Sequence, residues 1–255
     1  MKALVLGGGK CNVALFSVTK ERYKSRIRLK DVPMIEYVIK ALLSSKLIDS
    51  VDVYTEKHNE GKLPNNNKIK RHSSSRNPIE NILDFIHTYG DELKDSPFLI
   101  CTSDLPLLRP KIVDDFINKS LESKKKFVIP IVRKNRIVRK FPLMKRTYIN
   151  IDNEEWCGGN IFLIEKDFFI RNIRLARSLF KNRKSILKSG NIFGWRLVFR
   201  LLLKKLSFRF IEEETKKRFG GAVLPLIFNS IEVCIDVDKV SDYFILKDYM
   251  EKKDF

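Results

Sequence analysis

The residues able to do chemistry in this chain gather in three stretches. Phe98-Leu99-Ile100-Cys101-Thr102-Ser103-Asp104-Leu105-Pro106-Leu107-Leu108 runs an apolar strand into Asp104, after which Pro106 turns the chain away. An acid at the carboxyl end of a central strand lies where open α/β sheets bind their ligands. A carboxylate there suits a hard cation such as Mg²⁺, which takes few protein oxygens and shares substrate phosphates. Cys234-Ile235-Asp236-Val237-Asp238 supplies two further acids near the end of the chain. At the other end, Lys2-Ala-Leu-Val-Leu runs into Gly7-Gly8-Gly9-Lys10, where missing Cβ atoms let backbone N–H groups approach phosphate oxygens. Together these stretches imply a metal-dependent enzyme acting on a phosphorylated nucleotide. The glycine run is neither the GxGxxG dinucleotide fingerprint nor a P-loop, because no GK[ST] ending follows. More specific is Lys24, which stands nine residues before Pro33, the opening of an amphipathic helix.

The elements that must position these groups alternate through the first half. The spacing predicts strands at Lys2–Leu6, Val51–Thr55, Phe98–Cys101 and Phe127–Val132. Between them it predicts helices over Met34–Ser45 (Ile35, Val38, Ile39 and Leu42 on one face), Pro78–Tyr89 and Pro110–Ser123. The two later helices open on Pro, which is well placed in a first turn. This β-α-β-α-β-α-β order argues for an α/β, three-layer, mostly parallel central sheet with helices on both faces. Further on, Asn160–Ile164 and Ile231–Ile235 read as strands and Val240–Glu251 as a closing helix, with Asn59–Ser75 an irregular loop. A helical insert or lid is expected over about 167–215.

Composition narrows the partners. A chain of 255 residues with 44% hydrophobic content supports one large packed domain. A net charge of +19 implies an anionic partner, whether nucleotide, phosphosugar, nucleic acid or lipid headgroup; a solvated basic surface reads equally well. Cys11, Cys101, Cys157 and Cys234 lack CxxC spacing and the three histidines are scattered, so no zinc pattern emerges and free thiols are expected. The first residues read as a strand rather than a signal peptide, and no apolar run approaches the ~20 residues of a membrane span. The expected location is cytoplasmic, with a peripheral membrane contact kept open.

On these motifs the chain resembles the nucleotidyltransferase superfamily with a GT-A-type fold, in particular molybdenum-cofactor guanylyltransferase-like proteins. Its glycine loop, Lys24, Leu29-Lys-Asp-Val-Pro33-Met34, Ser103-Asp104-Leu105-Pro106-Leu107 and Asp236-Val-Asp238-Lys-Val-Ser-Asp242-Tyr243 follow that family's order over about 240 residues. The resemblance implies a single NTP-transferase-like domain over 1–255 and transfer of NMP from an NTP to a phosphorylated acceptor, with release of pyrophosphate. It implies that Gly7, Gly8, Gly9 and Lys10 contact the nucleotide and that Lys24 offsets α-phosphate charge. It also implies that Asp104 binds Mg²⁺, with Asp238 or Asp236 completing the site. In-line attack on an α-phosphorus builds negative charge, which is why the chemistry needs these cations. The family's loop Arg is absent from Gly9-Lys10-Cys11-Asn12-Val13-Ala14-Leu15-Phe16, and Val240 replaces its last Pro.

Other segments have two readings each. Ser75 and Asn81, in Ser73-Ser-Ser-Arg-Asn-Pro-Ile-Glu-Asn81, suit nucleotide-base recognition or plain helix capping. Gly158, Gly159 and Asn160 line the acceptor side by the resemblance, or form a tight turn. The basic run Arg133–Arg146 clamps an anionic acceptor, with Arg146 the leading candidate, or is a solvated face. Residues 192–206 carry Trp195 and put Arg196, Arg200 and Lys204 at four-residue spacing, which fits either a helix packed on the main domain or one lying on an anionic membrane. The membrane reading would make the acceptor a lipid precursor. Against nucleotidyl transfer stand a GT-A glycosyltransferase, disfavoured by the single acid at Asp104 where those carry Asp-x-Asp, and a catalytically degenerate nucleotide or anion binder. No motif for a specific nucleic acid is present.

Overall fold

The computed structural model describes residues 1–56, 63, 65–75, 77–94, 96–182, 200 and 203–252. The first half contains β1 (Lys2–Leu6), α1 (Val13–Thr19), β2 (Arg28–Leu29), β3 (Val32–Pro33), α2 (Met34–Leu43), β4 (Ser50–Thr55), β5 (Ile69–Ser73), α3 (Pro78–Thr88), β6 (Phe98–Thr102) and α4 (Pro110–Glu122). It is followed by β7 (Phe127–Arg133), α5 (Lys134–Lys140), β8 (Ile149–Ile151), β9 (Glu154–Gly158), β10 (Ile161–Ile164), α6 (Lys166–Arg171), α7 (Ile173–Asn182), α8 (Phe208–Phe219), β11 (Val223–Ile227) and α9 (Val240–Glu251). A nine-stranded sheet has the order β5-β4-β1-β6-β10-β7-β9-β8, with β11 beside β7; β2 and β3 form a separate small ribbon.

Successive strand residues face opposite sides, and that alternation sorts the core into two layers. Ala3, Val5, Leu99 and Cys101 point to the side covered by α2, α4 and α9. Leu4, Phe98 and Ile100 point to the side covered by α3 and α6. Buried apolar side chains of this size each contribute roughly 1.5–3 kcal/mol, so a continuous double-sided core is what holds the central strands. The α/β, three-layer arrangement with helices on both faces is therefore observed. Only β9 and β10 run against the other strands of the large sheet.

Most expected elements occupy their places, and the exceptions are instructive. β5 lies in the stretch read as an irregular loop, because Ile69-Lys-Arg-His-Ser is held by parallel pairing with β4 and carries only one apolar side chain. The strand expected at Ile231–Ile235 is instead a 3-10 turn over Ile231–Cys234. Its Val233 carbonyl accepts from Asn160 N–H at 2.8 Å rather than from a ladder partner. The apolar stretch after the glycines forms α1, capped by the Asn12 side chain, which accepts from Leu15 N–H at 2.9 Å. The stretch expected as an insert or lid holds most of α6, all of α7 and the first part of α8, while most of the basic segment 192–206 lies outside the described residues. Among the described residues no helix is long and apolar enough to cross a membrane.

Candidate active site

The site is assembled at the carboxyl edge of the parallel strands. β1 delivers the glycine loop, and Gly7 N–H donates back to Tyr54 O at 2.7 Å, so the loop starts flush against β4. A Cβ on Gly7 would stand 3.0 Å from that carbonyl, and one on Gly8 would run into Ser74 Oγ. At Gly7 the neighbour is backbone, so a side chain there would press on β4; at Gly8 it is the Ser74 hydroxyl, which would have to turn away. Lys24 sits in a 3-10 turn (Lys24–Arg26) fastened to the loop by Lys24 N–H to Gly9 O, 2.9 Å. At the end of β6, Ser103 N–H donates to Leu6 O at 3.2 Å, and the next residue is Asp104.

The three expected metal residues come together. Asp104, Asp236 and Asp238 offer carboxylate oxygens that all lie within 4.8 Å of one another. Lys24 Nζ binds Asp104 Oδ2 at 3.2 Å and also Asp238 Oδ1. Crowding like charges out of water has a price in protonation. Burial and the neighbouring Asp104 charge push the Asp236 carboxyl up to about 7, with Asp238 adding to the effect. Burial also works against ionised Asp238, but the Lys24 ammonium outweighs it and holds that carboxyl below its usual value. Lys24 itself is lowered by burial and raised more strongly by Asp104 and Asp238, so it stays protonated. Among the described residues this is the one cluster of three or more acid, His or Cys side chains with such spacing.

Support for the cluster comes from residues that sequence reasoning did not place there. Asp242, fully buried at the third position of α9, accepts from Asp238 N–H (3.1 Å) and Lys239 N–H (3.0 Å). It also accepts from Arg146 Nη1 at 3.1 Å. Arg146 Nη2 donates to the Asp236 carbonyl and stands 3.7 Å from its Oδ1. The acid three residues into a helix was the available signal, as a carboxylate there satisfies first-turn N–H groups. Asn12 is the second such residue: while capping α1 it donates from Nδ2 to Asp238 O at 3.0 Å. An Asn directly before a helical stretch is a cap signature.

The remaining expected residues divide. Arg146, expected to face an acceptor, has a side chain only 6% exposed and committed to Asp242 and Asp236, so it positions the acidic loop. Gly159 is packed rather than open: a Cβ there would stand 2.8 Å from Pro130 and 3.0 Å from Val233. Asn160 ties the same turn to β6, its carbonyl accepting from Thr102 N–H at 3.1 Å. Gly158 alone of these borders open space. Asn81 is buried, with Oδ1 accepting from Ser75 N–H at 2.8 Å and Nδ2 donating to Ser74 Oγ at 3.0 Å. Ser75 Oγ donates to Asn77 O at 2.7 Å, so Ser75 and Asn81 shape the turn that abuts Gly8. Lys10 pairs through its backbone with Tyr23 and leaves its side chain exposed. In the basic run, Arg133 and Lys134 pair with Glu154 (3.0 Å) and Glu155 (2.6 Å), beside a cavity of about 320 Å³.

No protein-family model matches the chain, and no curated protein sequence does. Solved structures do. The chain is similar to a hypothetical transferase from Thermus thermophilus, with 27% identity and a TM-score of 0.77 over 95% of this chain and 98% of that one. It is also similar to a CMP:2-keto-3-deoxy-manno-octonic acid synthetase complexed with CTP, with 9% identity, a TM-score of 0.59, and coverage of 99% and 98%. A third is a 4-diphosphocytidyl-2C-methyl-D-erythritol synthase from Anaerococcus prevotii, with 10% identity, a TM-score of 0.57, and coverage of 98% and 96%. The chain thus has the α/β fold of the nucleotide-diphospho-sugar transferase type.

Proposed function

We propose that this protein is a Mg²⁺-dependent nucleotidyltransferase that moves an NMP unit from an NTP to a phosphorylated acceptor and releases pyrophosphate. The observation carrying this reading is the meeting of Asp104, Asp236 and Asp238 with Lys24 beside a glycine loop. The names of the solved neighbours support it, since they include a transferase, a synthetase complexed with CTP and a diphosphocytidyl synthase.

The donor set fits a hard cation. All three groups are carboxylates, and Asp104 keeps a buried acceptor atom, Oδ1, with no hydrogen-bond partner. Asp104, Asp236 and Asp238 would hold Mg²⁺, which when bound supplies positive charge to the phosphates. Lys24 now serves as the counter-ion of two of these acids. Its ammonium would offset the charge that grows on the α-phosphate oxygens as the acceptor oxygen bonds phosphorus and the bond to pyrophosphate breaks. The glycine loop brings backbone N–H groups to the same phosphates. An acceptor phosphate is already an anion at neutral pH, so the reaction needs no side-chain base.

One observation favours the rival, a binder without turnover: α1 (Val13–Thr19), which follows the glycine loop, carries no cation. The two readings separate on pyrophosphate release from CTP, GTP, UTP and ATP with Mg²⁺ and a pool of phosphorylated metabolites. Release is expected from one NTP, falling at least about 100-fold in Asp104→Asn and in kcat for Lys24→Ala. Nucleotide binding without release from any NTP would establish the binder.

A further inference from the structure

We propose that the outer face of α1 and the adjoining face of α9 form a docking surface for an anionic phospholipid bilayer. A helix on a globular protein normally turns its apolar side inward. α1 does the reverse, because only Leu15 is buried while Val13 is 83%, Phe16 46% and Val18 40% exposed. α1 lies against α9, whose Phe244 is 53% exposed. Single exposed apolar residues are ordinary on protein surfaces, but three large ones make up most of the exposed surface of the seven-residue α1, and a fourth, Phe244, stands on the helix it touches.

Core packing does not account for this outward face, since α1 is held by its ends. Asn12 caps its start and reaches Asp238, while Lys20 closes its end in a left-handed conformation with φ of 58°. The charge around the patch selects the partner. Lys20, Arg22, Lys239 and Lys247 are exposed on the same elements or next to them. Of the acids on or beside these elements, Glu21 is on Arg26 at 3.3 Å, Asp238 on Lys24 and Asp248 on Lys252 at 2.7 Å, while Glu251 stands exposed at the far end of α9. Apolar side chains ringed by unbalanced cations are what an interfacial element needs to sink into the headgroup region of an anionic leaflet. The whole-chain charge of +19 draws the protein to such a surface.

The full-length protein is sedimented with vesicles of phosphatidylcholine alone and of phosphatidylcholine mixed with phosphatidylglycerol. Wild type is expected to pellet with the anionic vesicles only. A Val13→Glu/Phe16→Glu variant should lose at least about tenfold in partitioning, and Arg22→Glu/Lys247→Glu should lose a similar amount. All four side chains are exposed, so a thermal melt near that of wild type is expected and separates lost docking from lost fold. Failure of wild type to pellet, equal pelleting with neutral vesicles, or undiminished binding by Val13→Glu/Phe16→Glu would each overturn the proposal. A wild-type dimer that the same variant dissociates, without vesicle binding, would overturn it in favour of a second copy of this chain. The readout needs no turnover, so it stands or falls apart from the nucleotidyl-transfer reading.

Discussion

Asp236 is where protonation and metal compete. Its carboxyl is pushed up to about 7 by burial and by Asp104, against an ordinary value near 3.8. A folded-state value above the unfolded one means the native protein binds the extra proton between those limits. Stability associated with Asp236 is therefore present below about pH 4 and is lost as pH rises through about 7. In EDTA at pH 8, Asp236→Asn should melt above wild type by roughly 2 °C or more, and the gap should close toward pH 5. Mg²⁺ should stabilise wild type more at pH 8 than at pH 5, because the cation takes the ionised carboxylates that protons occupy at lower pH. Thermal melts across that range with and without Mg²⁺ check both outcomes. A gap independent of pH would mean that the substitution acts through packing instead.

At the scale of elements, the acidic loop owes its place to a turn and a helix that hold no ligand. The 3-10 turn Ile231–Cys234 packs on Gly159, and α9 receives the loop through Asp242 while Arg146 bridges the two acids. Gly159→Ala would set a methyl against Pro130 and the Val233 backbone, 2.8 to 3.1 Å away. The expected cost is about 1–3 kcal/mol, read by urea denaturation, with a weaker apparent affinity for Mg²⁺ because the turn carrying Asp236 and Asp238 is displaced. Gly158→Ala borders open space and should leave both quantities nearly unchanged. Equal effects from the two substitutions would mean that the turn does not transmit strain to the loop.

At the scale of the molecule, the order of strands binds the two halves into one unit. β10 comes from the second half of the chain yet lies between β6 and β7, pairing antiparallel with both. Its removal strips one of two ladders from Phe98–Cys101, a strand buried on both faces, and leaves only the pairing with β1. A fragment of residues 1–133 should therefore fail to fold as a monomer and should associate through the bare edge. Circular dichroism and gel filtration check this; a monomeric, cooperatively melting fragment would show β10 to be dispensable.

Local sequence determined the elements that carry their own signal. Short apolar runs marked β1, β4, β6 and β7, and Pro78 and Pro110 marked the starts of α3 and α4. The acids at 104, 236 and 238 were legible because each follows an apolar strand-like run. Where signal and partner are far apart in the chain, only the tertiary structure decided. β5 is polar and exists through pairing with β4. Ile231–Cys234 has strand-like residues but no strand to join, so it becomes a 3-10 turn bonded to Asn160. Arg146 reads as one cation in a basic run until the fold brings Asp242 and Asp236 to it from about ninety residues away. α1 shows the same limit: the apolar residues after the glycine loop do not say which of them is covered, and the fold buries only Leu15. Periodicity and capping act over a few residues and can be read locally; burial, charge pairing and the raised Asp236 value arise from contacts that exist only once the chain has closed on itself.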